Sequence, residues 1–170
     1  MLIFENSSGD YLAKVADFGF STHFESEQDL IIMPKSVPWN APEHHHRYFS
    51  SRDAKAMDVY SFSMLCLWLL FGVNTSDIMP HPSEVIIDDS QALCFQAQGW
   101  PEKKDLLLSW KMDKDDRLLE WAHWLVADHG RFAIETEKNL IQFFQRSLCF
   151  DYQARTTDWV RLLRLLVPER

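Results

Sequence analysis

Two short motifs in the first third of the chain carry residues suited to metal and charge chemistry. Asp17-Phe18-Gly19 places a carboxylate, the hard oxygen ligand that Mg²⁺ prefers, two residues before a glycine that lets the backbone swing. Glu43 places a second carboxylate at the end of an Ala-Pro-Glu tripeptide, and a proline commonly stands where a helical turn begins. We expect this turn to bury Glu43, and a buried carboxylate needs a cationic partner elsewhere in the fold.

The two tripeptides, in this order and with 21 residues between them, resemble the activation segment of a eukaryotic protein kinase. The resemblance implies that Asp17 holds Mg²⁺ against the phosphates of ATP, while Phe18 packs beneath it and reports the active or inactive state. Asp17, Phe18 and Gly19 are thus the cofactor-binding residues, with Mg²⁺ and ATP as cofactors of the intact family. Alone, the first tripeptide is more often an ordinary strand-ending turn, and only the rest of the chain favours the kinase interpretation.

The loop between the motifs carries hydroxyl groups among acidic side chains. Ser21, Thr22 and Ser26 are candidates for phosphorylation, which would order the loop if an arginine met the added charge. Glu25 and Glu27 oppose this, because like charges repel. A solvated loop without regulation is the favoured interpretation.

Ser36 differs from the other hydroxyls by its position. The resemblance places it where serine/threonine kinases usually carry a threonine that contacts the catalytic aspartate, so it joins Asp17 as a candidate catalytic residue. Lys35 stands where those kinases usually have glycine. The segment from Ser36 to Glu43 is therefore what favours serine or threonine over tyrosine as the phosphate acceptor.

The resemblance also supplies a partner for Glu43. The segment from Leu148 to Arg155 is similar to the kinase segment in which an arginine reaches back to that glutamate. Arg155 suits the role because its planar guanidinium pairs with a carboxylate through two hydrogen bonds. Tyr152 stands where the family usually has proline. The alternative is an ordinary solvated arginine ahead of a helix.

Asp58 precedes the longest apolar stretch of the chain, which ends at Gly72. The pattern predicts a helix with Asp58 as its N-cap and Gly72 as its stop, buried on every face because it is apolar on every face. By resemblance this is the central helix of the kinase large lobe, and Asp58 also hydrogen-bonds the backbone of the catalytic loop. Glu43, Asp58 and Arg155 are thus expected to have structural roles.

The elements that position these residues are mostly helical. Strand patterns at Leu2–Glu5 and from Tyr11 to Ala16, around an Asn-Ser-Ser-Gly-Asp turn, predict a hairpin. The fold class is mainly α, the helical large lobe of a protein kinase-like fold with a short N-terminal β-hairpin. We assign 1–16 to the hairpin, 17–43 to the activation segment and 44–170 to the helical lobe, with a variable insert at about 73–135.

Further helices are predicted at 106–110, 117–126, 136–150 and 157–167, the last capped by Thr156 or Thr157. Tryptophans within 117–126 favour a core face, with partner docking as the alternative.

Composition narrows the possible partners and compartments. A formal net charge of -8 without a Lys/Arg cluster disfavours nucleic acid. Three widely spaced cysteines favour reduced thiols, and the N-terminus lacks the apolar run of a secretory signal, so we expect an intracellular, cytoplasmic protein. The apolar run from Phe62 to Gly72 is about half the ~20 residues that span a bilayer, which favours a buried core helix and no membrane partner. The expected partner is a protein.

His44, His45 and His46 form the one cluster with an evident metal interpretation. Imidazole binds zinc and copper well, but three consecutive residues do not converge on one ion, and no cysteine or carboxylate stands at ligand spacing. A partly exposed loop or helix start is the favoured interpretation.

The sequence lacks several motifs that phosphoryl transfer needs. The 170 residues contain no glycine-rich phosphate loop, no recognisable ATP-contacting lysine and no His-Arg-Asp motif. By resemblance, Met1 follows the catalytic loop directly, and the apolar helix loses the neighbour that usually covers it. Three hypotheses follow: a kinase fragment inactive by itself, a pseudokinase-like interaction module, or a truncated product. We expect this polypeptide alone to be poorly soluble, with the missing N-terminal part of the kinase as a candidate partner.

Overall fold

The chain folds as a mainly helical protein with two short strand pairs in the computed structural model. The structure describes residues 2–14, 19, 21–71, 107–108, 110–111, 115–128 and 132–167. Its strands are β1 (Leu2–Glu5), β2 (Tyr11–Lys14), β3 (Leu30–Ile31) and β4 (Phe49–Ser50), and a 3-10 helix spans Pro42–His45. Its helices are α1 (Ser51–Phe71), α2 (Arg117–Asp128), α3 (Ile134–Ser147) and α4 (Trp159–Arg164). Residues 107, 108, 110 and 111 are also helical and are called the 107–111 segment.

The predicted N-terminal hairpin is present. β1 and β2 pair antiparallel, with Leu2 opposite Lys14 and Glu5 opposite Tyr11. Asn6 closes the turn because its side-chain oxygen accepts hydrogen bonds from the backbone N–H groups of residues 8 and 10, each at 2.9 Å. Gly9 has a φ of 81°, a left-handed conformation that glycine adopts without strain. The predicted end of the second strand, at residues 15 and 16, lies outside the described residues.

A second strand pair joins the loop to the helical part. β3 pairs antiparallel with β4, so Leu30 lies opposite Ser50 and Ile31 opposite Phe49. Ile31 and Phe49 are buried, whereas Leu30 is exposed. This pairing fixes the loop after β3, and the 3-10 helix within it, against the start of α1.

α1 is the central helix of the described fold, but it begins at Ser51 rather than at Asp58. The prediction that Asp58 caps this helix is therefore wrong. Residues 51–57 include Ala54, Ala56 and Met57, which are good helix formers, and Ser50 caps the helix by accepting the N–H of residue 53 through its hydroxyl. The predicted stop at Gly72 lies outside the described residues.

Burial of α1 is incomplete, contrary to the expectation of burial on every face. Met57, Tyr60, Met64 and Leu67 are buried. Leu65, Leu69 and Leu70, in the C-terminal half of the helix, are exposed, and Leu69 is 57% exposed. Apolar composition alone therefore did not determine which faces of the helix are covered.

The helix α3 links the remaining helices to α1. α3 packs against α1, α2 and α4. The ring of Phe62 on α1 meets Phe143 of α3 at 6.2 Å and Trp159 of α4 at 5.4 Å between ring centroids. Trp110 of the 107–111 segment meets Trp121 of α2 at 5.2 Å, and Trp110 is buried. None of the described tryptophans is among the exposed large apolar residues, which agrees with the core-facing interpretation.

Helix bounds and caps differ in detail from the prediction. α3 begins at Ile134 rather than at 136, with Glu135 and Glu137 in its first turn, where carboxylates interact favourably with the helix dipole. α4 is capped by Asp158, which accepts the N–H of residue 161 at 3.0 Å. The prediction of Thr156 or Thr157 as the cap is wrong because the Thr156 hydroxyl instead accepts the N–H of Asp158.

Within the described residues, one helix is long and apolar enough to cross a membrane by length and composition, and it is α1. The helix has 21 residues, so the expectation based on its shorter apolar run underestimated its length. In the most apolar window, 56% of the residues are buried inside the fold, as in the core helix of a globular domain.

Candidate functional site

The structure leaves the predicted cofactor-binding residues largely undescribed. Asp17 and Phe18 lie outside the described residues, so the predicted magnesium ligand has no structural account. Gly19 is exposed. The candidate site that the structure does describe is built around Glu43, from the loop 34–40, the 3-10 helix, α1, the 107–111 segment and the turn that carries Arg155.

Glu43 and Arg155 form the buried ion pair that the sequence predicts. Nη1 of Arg155 donates to Oε1 of Glu43 at 2.6 Å, and Nη2 donates to Oε2 at 3.1 Å. The side chains are 0% and 7% exposed for Arg155 and Glu43, respectively. This is the two-pronged geometry that a guanidinium and a carboxylate favour, and it joins residues 112 positions apart.

The rest of the Arg155 guanidinium is also satisfied. Nε donates to the carbonyl of Cys149 at 2.8 Å, and Nη2 donates to that of Phe150 at 3.0 Å. The backbone N–H of Phe150 in turn donates to Asp116 Oδ1 at 2.6 Å, just before α2 begins. Arg155 therefore connects the 3-10 helix to the turn after α3 and, through that turn, to α2.

Tyr60 of α1 lies beneath two cations. The guanidinium carbon of Arg155 is 4.5 Å from the centroid of the Tyr60 ring, and Nζ of Lys111 is 5.9 Å from it. Both distances fall within the range of cation–π interaction. Burial raises the pKa of Tyr60 despite the opposing effect of Arg155, so the phenol is neutral beneath both cations.

Lys111 is a buried lysine that the sequence interpretation did not identify. It is 4% exposed, and its Nζ donates to the carbonyl of Pro38. Burial lowers the pKa of Lys111 to about 8, an effect that Glu43 opposes and Lys35 reinforces. The sequence does contain a sign that Lys111 is buried. This lysine directly follows Trp110 and lies one helical turn after Leu107, and both of these apolar residues are buried.

The loop 34–40 is held at three points. The carbonyl of Pro34 lies 3.0 Å from Nε2 of His44, the carbonyl of Pro38 accepts from Lys111, and the ring of Trp39 meets Trp68 of α1 at 6.3 Å. The N–H of residue 40 donates to the carbonyl of residue 36 at 2.8 Å and closes a turn, in which the Val37–Pro38 peptide bond is cis.

The anchors leave the first four residues of this loop exposed to solvent. Pro34, Lys35, Ser36 and Val37 are exposed, whereas Pro38 is buried. The Ser36 hydroxyl is therefore accessible to another molecule. Its predicted contact with a catalytic aspartate has no counterpart among the described residues.

Asp58 has neither of its predicted interactions in the described structure. It lies in the interior of α1 and is exposed, and no hydrogen bond joins its side chain to the described residues. Although the residue as a whole is exposed, partial desolvation of the carboxyl raises its pKa. Asp58 is thus a helix-surface carboxylate that lacks a compensating partner among the described residues.

The acidic loop before β3 is ordered by its own side chains. The carboxylate of Asp29 accepts the N–H groups of Glu25 and Ser26, each at 2.9 Å, and these bonds lower its pKa. The Ser26 hydroxyl accepts the N–H of Gln28 at 3.2 Å. The exposed turn agrees with a solvated loop and leaves the question of phosphorylation as a prediction.

The three consecutive histidines contact one another and nearby backbone carbonyls. The rings of His45 and His46 lie 4.1 Å apart between centroids, while His44 and His45 interact with the carbonyls of Pro34 and Pro42. In the part of the chain that the structure describes, no group of three or more His, Cys, Asp or Glu residues is placed to hold a metal ion.

Both cysteines within the described residues are free thiols. Cys66 is half-buried on α1 and Cys149 is buried beside Arg155. Burial raises the pKa of the Cys66 thiol to about 12 and raises that of Cys149 as well. Neither is therefore activated as a nucleophile.

Comparisons with known proteins leave the family undecided. None of the protein-family models, curated proteins or solved structures compared with this chain matches it. The kinase interpretation therefore depends on the sequence motifs and on the geometry around Glu43.

Proposed function

We propose that this chain is the C-terminal part of a serine/threonine protein kinase domain, and that it provides the surface on which a protein substrate docks. The observation that carries the proposal is the buried ion pair between Glu43 and Arg155. The kinase resemblance assigns these two residues to each other from separate motifs. These residues lie 112 positions apart, and a chance occurrence of the motifs gives no reason for them to meet. The contact therefore supports the proposal.

In this proposal the loop 34–40 is the part of the chain that a substrate meets. Its anchors hold the displayed residues Lys35, Ser36 and Val37 in one arrangement, and a preorganised surface loses less entropy on binding. Ser36 contacts the catalytic aspartate supplied from outside these 170 residues. Acceptor preference for serine or threonine follows from the Ser36–Glu43 segment.

The chain's own contribution to cofactor chemistry in this proposal comes from Asp17, Phe18 and Gly19, with Asp17 as the metal ligand. The resemblance assigns that carboxylate to Mg²⁺, and a metal ion held there neutralises charge on the phosphates of ATP. Asp17 lies outside the described residues, and within those residues no group of three or more His, Cys, Asp or Glu is placed to hold a metal ion. This chain alone is therefore expected to bind neither Mg²⁺ nor ATP and to transfer no phosphate, because the remaining positioning groups are absent from its sequence.

The first test is the coding sequence upstream of Met1. We expect an in-frame His-Arg-Asp-x-x-x-x-Asn motif there, which would supply the catalytic base and the second metal ligand. An in-frame stop codon immediately before Met1, with a genuine start signal, would instead favour a product without phosphoryl transfer.

The second test uses the longer product expressed from its own transcript. Asp17→Asn should lower phosphate transfer from ATP to a protein substrate by about a hundredfold or more, because a catalytic metal contributes several kcal/mol. Asp10→Asn, a matched change in the exposed hairpin turn, should leave the rate unchanged. Equal rates for both variants would contradict the role of Asp17.

The alternative function is a pseudokinase-like module that binds a partner protein without chemistry. Its support is the exposed apolar side of α1, formed by Leu65, Leu69 and Leu70. The tryptophans first considered for this role lie in or against the core instead. A longer product that shows no heat of Mg²⁺–ATP binding in calorimetry and no phosphate transfer would favour this alternative. Both functions imply an intracellular protein with a protein partner.

A further inference from the structure

Lys111 occupies a position where burial of a charge is unfavourable. Its neighbours on the same helical segment, Leu107 and Trp110, are buried apolar residues. A methionine would fill a similar volume without the desolvation that an ammonium suffers there. The presence of lysine therefore has to be explained by what its ammonium contacts.

Within the described residues, no carboxylate pairs with the ammonium of Lys111 alone. Glu43 is the nearby acid, but both of its oxygens already accept hydrogen bonds from Arg155. The Tyr60 ring, at 5.9 Å, lies near the outer limit of a cation–π contact. The principal partner of Lys111 is thus a backbone carbonyl, that of Pro38.

That carbonyl belongs to the closed turn within the loop 34–40. The turn's anchors outside the loop include the Lys111 hydrogen bond at residue 38 and the packing of Trp39 on Trp68. Because Val37 and Ser36 immediately precede Pro38, their exposed side chains are directed by whatever fixes this carbonyl.

We propose that Lys111 is a positioning residue whose buried ammonium holds the turn 36–40 by the carbonyl of Pro38 and so sets how Ser36 and Val37 are presented. This role stands on the described contacts alone. The consequence for a protein substrate rests on the proposed function, so the experiment measures the order of the turn in the 170-residue chain rather than phosphate transfer.

The test compares amide hydrogen exchange of Lys111→Met with that of the wild-type protein by mass spectrometry. The reporter is the N–H of Asn40, which closes the turn. Loss of a hydrogen bond to a charged group should speed exchange in 36–40 by about tenfold or more, while α3 is unchanged.

Lys111→Arg, which keeps a cationic donor, should restore most of the protection. Lys55→Met, which removes a lysine of α1 that lies over the ring of Phe24, should leave the turn protected.

Two outcomes of the exchange experiment would overturn the proposal. Equal exchange of 36–40 in Lys111→Met and Lys55→Met would show that the ammonium does not hold the turn. A uniform rise throughout the chain, including α3, would assign Lys111 to general core stability instead of positioning.

The pH dependence of unfolding provides an independent readout. Lys111 is faced by Glu43, Lys35, Tyr60 and Arg155, and its pKa is lowered to about 8 from 10.5. Between these values the unfolded chain binds more protons than the folded one, so this residue makes stability rise with pH. The Tm of wild type should therefore rise relative to that of Lys111→Met from pH 7.5 to 9.5. Parallel Tm curves would show that burial does not lower the pKa of Lys111 and would contradict the desolvated ammonium on which the proposal depends.

Discussion

Arg155 shows how one buried side chain can connect distant parts of a small domain. Its guanidinium donates four hydrogen bonds, two to the carboxylate of Glu43 and two to the carbonyls of Cys149 and Phe150. Burial of both charges is costly, and the dense set of hydrogen bonds offsets that cost. Removal of either partner would leave the other charge buried without compensation.

Arg155→Ala is therefore expected to lower the free energy of unfolding by about 3–5 kcal/mol, the range for an unpaired buried charge. Denaturant titration of the purified protein measures this loss. Arg161→Ala, an exposed arginine on α4, should change stability by no more than about 0.5 kcal/mol. A loss below about 1 kcal/mol for Arg155→Ala would count against a buried pair with Glu43.

Among the elements, α1 shows how the position of a helix N-terminus changes the environment of an acidic residue. With the helix beginning at Ser51, Asp53 lies in the first turn and Asp58 lies in the interior. A carboxylate in the first turn interacts favourably with the helix dipole, an effect that fades beyond that turn. Asp58 thus keeps the desolvation cost of its charge without the benefit of a cap.

We expect Asp58→Asn to raise the Tm at pH 7, because the raised pKa of Asp58 means that its ionised form is disfavoured in the folded state. The gain should shrink as the pH falls through that pKa, where the wild-type carboxyl becomes neutral too. Asp53→Asn is the matched control and should lower the Tm through loss of the dipole interaction. A fall in Tm for Asp58→Asn equal to that for Asp53→Asn would contradict the unfavourable desolvation of Asp58.

Local chemistry and motif resemblance each made part of the structure predictable from sequence. The hairpin follows from its alternating strands and from the Asn6 and Gly9 turn, whereas the long-range Glu43–Arg155 contact follows from motif resemblance alone. Caps were less predictable, because several hydroxyl and carboxylate residues compete at each helix start, as Thr156 and Asp158 do. The sequence neighbours of Lys111 indicated its burial, but no motif pairs it with its carbonyl partner, which lies 73 positions earlier.

At the scale of the whole molecule, the described surface carries an apolar area on α1 in addition to scattered exposed residues. Leu65, Leu69 and Leu70 lie close together along the C-terminal half of that helix, and all three are exposed. Exposed apolar residues that stand singly are normal, but a contiguous group favours association. We therefore attribute the expected poor solubility to this apolar area of α1.

The double variant Leu65→Lys with Leu69→Lys should suppress self-association because it places charges within this apolar area. Sedimentation velocity over a range of concentrations should show larger species for the wild type and monomer for the variant at about tenfold higher concentration. Val160→Lys changes a comparably exposed residue, 63% exposed, on α4 and should leave association as in the wild type. Equal suppression by both changes would indicate a general charge effect and not contact through α1.

The separation between Glu43 and Arg155 has a consequence during synthesis of the chain. A ribosome adds about 5–20 residues per second, so Glu43 precedes its partner, 112 residues later, by on the order of ten seconds. During that interval the carboxylate destined for the interior has only water as a partner, and the 3-10 helix has no counter-charge to fold around. The nascent chain therefore passes through a period in which its loop and central helix are made but cannot be locked together, and this is the period in which a chaperone would act on it.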